Sequence, residues 1–478
     1  MIHAHHRVTT RAGLPAVLFT GLALLGGLSS TPARAAEEGA AAAPDDAAAA
    51  EAPKTFWTRD TLTGDWGGLR TNLEEHGITV AGTYSAEALG NPSGGAKQRG
   101  VAFGMLQIDV EADLEKLAGW QGGLFHASAI NTHGRQLSAN FLNNWIASRD
   151  IETSPTTRLF ALWLQQSFFE DTVSLRAGQV PMQEEFFNST YAANLIGSPF
   201  GWPGSFAANM PSGGGGYPLA NLGARVKVKA SDNLTLLGAV FSGDPASGTD
   251  TRIGEDPTRH NANGIDFTWN QPPVWFGEAQ YGYNQGKDAS GLPGTVKVGG
   301  WYYNGGFNDQ RFDDNGQYRA VSGADGRRLH GNWAAYAILD QMLWRRPGSE
   351  DGGLGFFLRG SLMPDDRNRM PYYFDTGLAL KGTFEGRDSD VAALGFAYGA
   401  ASRRLASYDS DQTALGTYTA RQDYEAMLEV SYRYSVTPWW TLVPDAQYIF
   451  HPGATATDDT GKVMDDAVVV GLRTVFTL

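Results

Sequence analysis

Apolar and polar residues alternate with a period of two through the segments 426–436, 440–450 and 467–478. The even positions of each segment are mostly apolar or aromatic, whereas charged side chains such as Arg433 and Arg473 occupy odd positions. Successive side chains of a β-strand point to opposite faces, so the pattern predicts strands with one apolar and one polar face. Both a soluble sandwich and a membrane-spanning barrel contain strands of this kind.

Aromatic residues beside the turns of these segments favour the barrel. Trp439 and Trp440 lie at the turn between two of the segments, and Phe476 lies near the end of the third. Aromatic side chains concentrate at both interfaces of a membrane barrel, and a charge facing lipid costs roughly 2–4 kcal/mol at the midplane. The parity of the charges therefore indicates an all-β, transmembrane antiparallel β-barrel whose apolar face meets lipid and whose polar face lines a lumen.

The connections between predicted strands alternate between short and long, as periplasmic turns and external loops do. The short ones lie near 231–233, 346–352, 385–390 and 437–438, and long ones lie at 244–263, 306–331 and 403–423. Extending the count back to Ile78 predicts about 16 strands, with the last strand ending on the periplasmic side. Asp340 and Gln341 interrupt the alternation of their strand, and the pattern alone does not account for them.

By this count residues 179–217 form the third external loop. The segment has no strand periodicity but is rich in aromatic residues, so we expect it to be ordered. A barrel of this size encloses an aqueous channel. The sequence therefore predicts a long constriction loop that folds into the lumen and narrows it.

Charged residues of both signs are predicted to meet at this constriction. Basic side chains share the inward parity of two strands, and acidic and amide side chains lie on the loop. Charges of opposite sign across a pore set up a transverse field, and hydroxyls, which both donate and accept hydrogen bonds, suit such a site. The alternative is that the basic residues are ordinary solvated charges of the lumen. The candidates for the substrate pathway are Arg176, Arg225, Lys227 and Lys229 on the wall and Glu184, Glu185 and Asn188 on the loop.

Three aromatic residues complete the predicted pathway. Trp163, Trp301 and Tyr303 have the inward parity of their strands. Their rings offer faces on which sugar rings can stack. The alternative is that each ring only packs against the constriction loop.

The beginning of the sequence reads as a secretory signal over residues 1–35. Arg7 and Arg11 precede the apolar stretch 14–28, and residues 33–35 form an A-x-A cleavage site. The apolar stretch is shorter than the roughly 20 residues that a spanning helix needs. Residues 36–56 are predicted to be an alanine-rich acidic linker, and residues 57–478 the barrel domain, which opens with a short amphipathic helix.

Composition excludes several classes of function. The formal charge is −14; removing the three arginines of residues 1–35 leaves 34 basic against 51 acidic residues, a charge of −17. Nucleic acid is an unsuitable partner for so acidic a chain. The sequence has no cysteine, and its histidines lack the HExxH spacing, so we predict neither a metal site nor a cofactor.

Several ordered motifs resemble the carbohydrate-selective porins of the OprB family, and the resemblance extends over most of the chain from residue 62 onward. It implies a sixteen-stranded outer-membrane barrel through which sugars diffuse. The motifs that carry it are residues 62–70, 179–217, 232–236, 332–333, 340–345, 437–441, 445–452 and 471–474.

The resulting expectation is a porin, not an enzyme, in the outer membrane of a Gram-negative bacterium. Its expected solutes are mono- and oligosaccharides such as glucose, and its surroundings are outer-membrane lipid and lipopolysaccharide, with a homo-oligomer also allowed. The alternative is an outer-membrane or secreted enzyme or binding protein for carbohydrates. Glu184 and Glu185 are the only paired carboxylates that the alternative would use.

Overall fold

The structure is a computed structural model that describes residues 54–247, 256–286, 289–349, 351–417 and 420–478. The predicted signal segment 1–35 and the linker up to residue 53 lie outside the described residues. No helix among the described residues is long and apolar enough to cross a membrane.

Sixteen strands of the described chain form one closed antiparallel barrel, in which each strand pairs with its neighbours in sequence and the first pairs with the last. This confirms the predicted fold class and strand number. The strands are β1 Ile78–Ser93, β2 Gly100–Asp113, β3 Gly123–Gly134, β4 Thr156–Phe168, β5 Val173–Val180, β6 Asn221–Lys229, β7 Leu234–Ser242, β8 Pro273–Tyr283, β9 Gly294–Asn308, β10 Arg328–Arg345, β11 Gly353–Leu362, β12 Tyr372–Lys381, β13 Val391–Ala400, β14 Tyr424–Thr437, β15 Trp440–Phe450 and β16 Ala467–Thr477.

The alternation in sequence becomes the two faces of the barrel wall. On β14, Glu425 and Glu429 point inward and are fully buried, whereas Leu428 and Val430 are exposed on the outer surface. Exposed outward leucines and valines recur around the barrel. Since water penalises such a surface, its natural neighbour is the hydrocarbon of a bilayer.

Short helices lie before the barrel and in its connections. The helix predicted before the first strand is α1, and α8 is the longest helix described. The helices are α1 Leu69–Glu75, α2 Leu114–Ala118, α3 Met182–Glu185, α4 Ser198–Gly201, α5 Gly204–Asn209, α6 Pro257–His260, α7 Arg319–Ser322, α8 Arg403–Ala414 and α9 Pro452–Thr455, with 3-10 turns at Trp66–Gly68, Ala192–Asn194 and Pro211–Gly213 and a π turn at Ser138–Leu142.

Two external connections turn into the barrel and fill part of its interior. We call residues 135–155, between β3 and β4, loop L2, and residues 181–220, between β5 and β6, loop L3. Phe186, Phe206 and Trp202 of L3 are fully buried and pack in one apolar cluster with inward side chains of the wall. Gly355 and Gly395 on the inner wall allow this close approach, because a methyl group at either position would overlap L3 side chains.

Candidate pore constriction

Glu185 of L3 is clamped between two arginines of the wall. Its carboxylate accepts a hydrogen bond from Arg176 Nη1 at 2.7 Å and from Arg225 Nε at 2.8 Å. Arg225 also donates to the Ser174 hydroxyl at 2.7 Å, and both arginines contact the Gln165 side chain. The side chains of Glu185 and Arg225 are only 6% and 3% exposed, so this pair holds the loop to the wall in a dry setting.

The neighbouring Glu184 has the opposite environment. Its side chain is exposed to the lumen. Asn188 is half-buried: its side-chain amide donates to the Glu184 carbonyl at 2.9 Å, and its own carbonyl accepts from Lys297 Nζ at 2.7 Å. Of the two adjacent carboxylates, Glu184 is therefore the one that is exposed in the lumen.

Trp163 lies inside a stack of three side chains. The His126 ring stacks on one side at 4.7 Å with an interplanar angle of 12°, and the Arg176 guanidinium lies over the ring at 3.6 Å. His126 in turn lies 3.8 Å from Asp109 and 3.9 Å from Glu111, which are partly exposed. The stack thus connects a basic and an acidic part of the inner wall.

Trp301 and Tyr303 are buried, at 3% and 5% exposure. Trp301 meets Phe206 of L3 edge-on at 6.0 Å, and Tyr303 meets Phe307 edge-on at 5.6 Å. Trp301 therefore packs against L3, whereas Tyr303 packs against its own strand β9, and the role of both rings in the pathway stays a prediction.

The remaining basic candidates share β6 with Arg225 but differ in exposure. Lys227 is half-buried, and Lys229, next to the periplasmic turn, is exposed. Along the inward side of β6, the exposure of the basic side chains thus increases toward the periplasm, from buried Arg225 through Lys227 to Lys229.

Carboxylates of the wall hold L3 along its course. Glu278 of β8 accepts from the Phe187 backbone at 3.1 Å, and Asp340 of β10 accepts from the Thr190 backbone at 3.0 Å and from the Ser189 hydroxyl. Asp340 therefore points inward to bind the loop and follows the alternation of β10. The interruption noted in the sequence comes from Gln341, which lies on the outward parity and accepts a hydrogen bond from the Tyr283 hydroxyl.

Glu429 of β14 makes the last of these contacts, on a distant part of the wall. Its carboxylate accepts from the backbone N–H groups of Ile196 and Gly197 at 2.8 and 2.7 Å. L3 therefore runs from β5 past β8 and β10 and reaches β14, crossing the interior of the barrel.

L2 is attached to the same part of the wall by a buried ionic network. Arg149 donates to Glu87 of β1 at 2.8 Å and to Asp445 of β15 at 2.7 Å, and Arg473 of β16 pairs with both Glu87 and Asp150. All five side chains are less than 10% exposed. Removing these charges from water costs free energy. Their mutual pairing offsets this cost, which would strongly destabilise the fold if one of the charges were buried alone.

Of these wall carboxylates only Asp340 stood out in the sequence, and L2 did not. The constriction was predicted from inward cations and from the longest loop alone. The signal that was present is parity: each of these acids falls on the inward positions of its strand, where a charge is tolerated only if it is solvated or paired. The carboxylates in question are Glu87, Glu278, Asp340, Glu425, Glu429 and Asp445.

Known proteins of similar sequence and fold are porins. Porin B of Pseudomonas aeruginosa is 26% identical over 454 residues, covering 89% of this chain and 92% of that protein. The putative porin QuiX of Acinetobacter baylyi is 24% identical over 451 residues, covering 87% and 93%. The high-pH structure of Pseudomonas putida OprB superposes with a TM-score of 0.79 at 22% identity, covering 89% of this chain and all of that one.

The family model for the carbohydrate-selective porin, OprB family, matches residues 97–478. The match contains every strand from β2 to β16 and both lumenal loops. It agrees with the closed sixteen-stranded barrel and its apolar outer face. The chain belongs to the carbohydrate-selective porin, OprB family, and is an outer-membrane porin through which carbohydrates pass.

Proposed function

We propose that sugars cross by passive diffusion through the part of the lumen that faces β2 to β6. The observation that carries this is the unequal burial of the lumenal charges. Arg149 and its partners near β1, β15 and β16 are sealed from water, whereas Glu111 near the periplasmic end of β2 and Glu184 of L3 are accessible. L2 and L3 together then form the constriction, and the pathway lies beside them.

The side chains along this path suit neutral polyols. Asp109 and Glu111 are hydrogen-bond acceptors, Lys227 is a donor, and Gln107 and Gln165 offer both functions. A sugar hydroxyl can pair with either kind of group, so a sugar loses little hydrogen bonding on leaving water, while a solute without hydroxyls cannot compensate. Since the Trp163 ring is covered on both faces, hydrogen bonding rather than stacking on this ring orients the sugar. Glucose and short oligosaccharides are the proposed solutes.

We also propose that the protein has no enzymatic activity. A pair of catalytic carboxylates must face one substrate from two sides. Glu184 is open to the lumen, but Glu185 is fixed by Arg176 and Arg225, so the two do not form such a pair.

We propose two further contacts, both made by the outer surface. Its apolar band contacts outer-membrane lipid, and the external loops contact lipopolysaccharide. Assembly into a homo-oligomer stays a prediction. Native mass spectrometry in mild detergent would measure the number of chains in the assembly.

Conductance of single barrels in a planar bilayer tests the proposed function. We expect steady ohmic channels whose current falls reversibly as glucose oligosaccharides are added. Polyethylene glycol of matched hydrodynamic size is the control, because it fills the pore without offering hydroxyls along its length. A barrel that conducts no ions, or one that both solutes block equally, would contradict a sugar-selective pathway.

A further inference from the structure

The segment before β1 exposes two aromatic side chains at the periplasmic end of the barrel. Phe56 and Trp57 are 46% and 60% exposed. Their segment is nevertheless firmly attached to the barrel: Trp439 Nε1 donates to the Phe56 carbonyl at 2.9 Å, and the Leu62 backbone donates to the Thr477 carbonyl at 2.7 Å. The two rings are thus held at a defined place on the rim.

Further along the segment, a hydrogen bond attaches it to Leu478, the residue that follows β16. Arg70 Nη2 donates to the Leu478 carbonyl at 2.9 Å, and its guanidinium covers the Trp66 ring at 4.3 Å. Residues 54–75 therefore lie against the seam where β1 and β16 close the barrel.

A continuous row of aromatic rings joins Trp57 to the lipid-facing surface. Trp57 stacks on Trp439 at 6.1 Å, Trp439 stacks on Trp440 at 6.2 Å, and Trp440 stacks on Phe476 at 5.9 Å. Trp440 and Phe476 pair with each other at outward positions of β15 and β16, and exposed Leu472 shares the outward parity of β16. The row therefore begins on the membrane face of the barrel and ends on the exposed segment.

Charge beside the exposed rings matches a bilayer interface. The Arg59 guanidinium lies 4.4 Å from the centre of the Phe56 ring, and the Arg59 side chain is half-buried beside it. Aromatic rings flanked by guanidinium groups are favoured at the level of lipid headgroups, where the ring is half-solvated and the cation meets phosphate.

We propose that Phe56 and Trp57 contact the phospholipids of the periplasmic leaflet and that residues 54–60 form an interfacial lipid anchor. The partner is the glycerophospholipid headgroup region, with Arg59 positioned for a phosphate. The argument is continuity: the exposed rings extend an aromatic row that already faces lipid. The anchor holds the segment at the seam of the barrel and is independent of which solute passes through the lumen.

The absence of cysteine from the chain allows a single label to be placed at will. The variant Trp57→Cys is labelled with the fluorophore NBD and reconstituted into phosphatidylethanolamine–phosphatidylglycerol vesicles containing nitroxide lipids. Glu75→Cys, exposed on α1 of the same segment, is the matched control. We expect the label at 57 to lose more fluorescence than the label at 75, and to lose more with nitroxide near the glycerol than with nitroxide deep in the acyl chain.

Equal quenching of the two labels would overturn the proposal. Protection of the label at 57 from both lipid and aqueous quenchers would also overturn it, because it would identify a protein neighbour instead. Because the label replaces a ring of the row, a second measurement uses the native side chain. Brominated lipid should quench the unmodified protein more than the variant Trp57→Phe, and identical quenching of the two would reject lipid contact by Trp57.

Discussion

Adjacent residues of like charge have different roles inside this barrel, and burial decides between them. Glu184 and Glu185 are adjacent in sequence, yet Glu184 is open to the lumen, whereas Glu185 is buried and pairs with two arginines. Arg225 and Lys227 differ in the same way on the wall. A substitution at the clamp therefore changes structure first, whereas a substitution at the open residue changes the field in the pore.

The open charges are expected to set the ion selectivity of the pore in opposite directions. Lys227→Ala removes a lumenal cation and should favour cations, while Glu184→Gln removes an anion and should favour anions. A unit charge about 8 Å from the path in water changes the energy of an ion by about 0.5 kcal/mol, so each permeability ratio should shift about twofold. Reversal potentials in a salt gradient measure the ratio.

Lys229→Ala is the control for this prediction, because Lys229 is exposed at the periplasmic end of the same strand. Its effect should be smaller than that of Lys227→Ala. Equal shifts for all three variants, or shifts of one sign, would exclude Lys227 and Glu184 from the narrow part of the path.

At the scale of elements, L2 is an insertion that depends on buried ion pairs. Arg149 bridges Glu87 and Asp445, which lie on strands at either side of the β1–β16 seam. L2 also donates its Trp145 and Ile146 backbone groups to Glu425 of β14. The loop is therefore held by charges rather than by an apolar face alone, and removal of one partner leaves others unpaired.

Arg149→Ala should release L2 from the lumen. Breaking a buried pair by removing one partner costs roughly 3–5 kcal/mol, which exceeds the stability of most single loops. We expect residues 136–152 to lose hydrogen-exchange protection and the single-channel conductance to rise or to fluctuate between levels. Arg403→Ala is the control, since its side chain is 81% exposed and its partner Asp365 is 3.8 Å away. Unchanged protection of L2 in Arg149→Ala would show that the apolar contacts suffice.

At the scale of the whole molecule, the barrel has an apolar outer surface and an interior that combines paired charges with the apolar cluster around L3. Exposed residues such as Val298 and Leu472 form the outer surface, while Arg359 and Asp375 are paired in the interior. Stability then depends on lipid outside and on ion pairing inside. A charge placed on one face or the other should have very different consequences.

Val298→Lys places a charge on the outward side of β9, where the side chain is 58% exposed. We expect the free energy of folding into bilayers to fall by roughly 2–4 kcal/mol. Gln107→Lys is the matched control, because Gln107 points into the lumen and already donates to Asp109. Denaturant titration in lipid vesicles compares the two, and an equal loss in both variants would contradict the assignment of faces.

The alternation of residues, together with the aromatic residues beside the turns and the lengths of the connections, predicted the barrel, its roughly sixteen strands, the outward and inward faces and the third external loop. This succeeds because strand parity and the cost of a charge in lipid are local rules that act on each residue separately. Tertiary structure alone decided which inward charges are open and which are clamps, that L2 joins L3 in the lumen, and that Asp340 binds the loop. Those contacts join residues far apart in sequence, such as Arg149 and Asp445, and no periodicity records such a pairing. Candidate constriction residues could therefore be identified from the sign of their charge and from their parity along the strand. Which of them are open to the lumen and which are paired follows from their burial in the folded barrel.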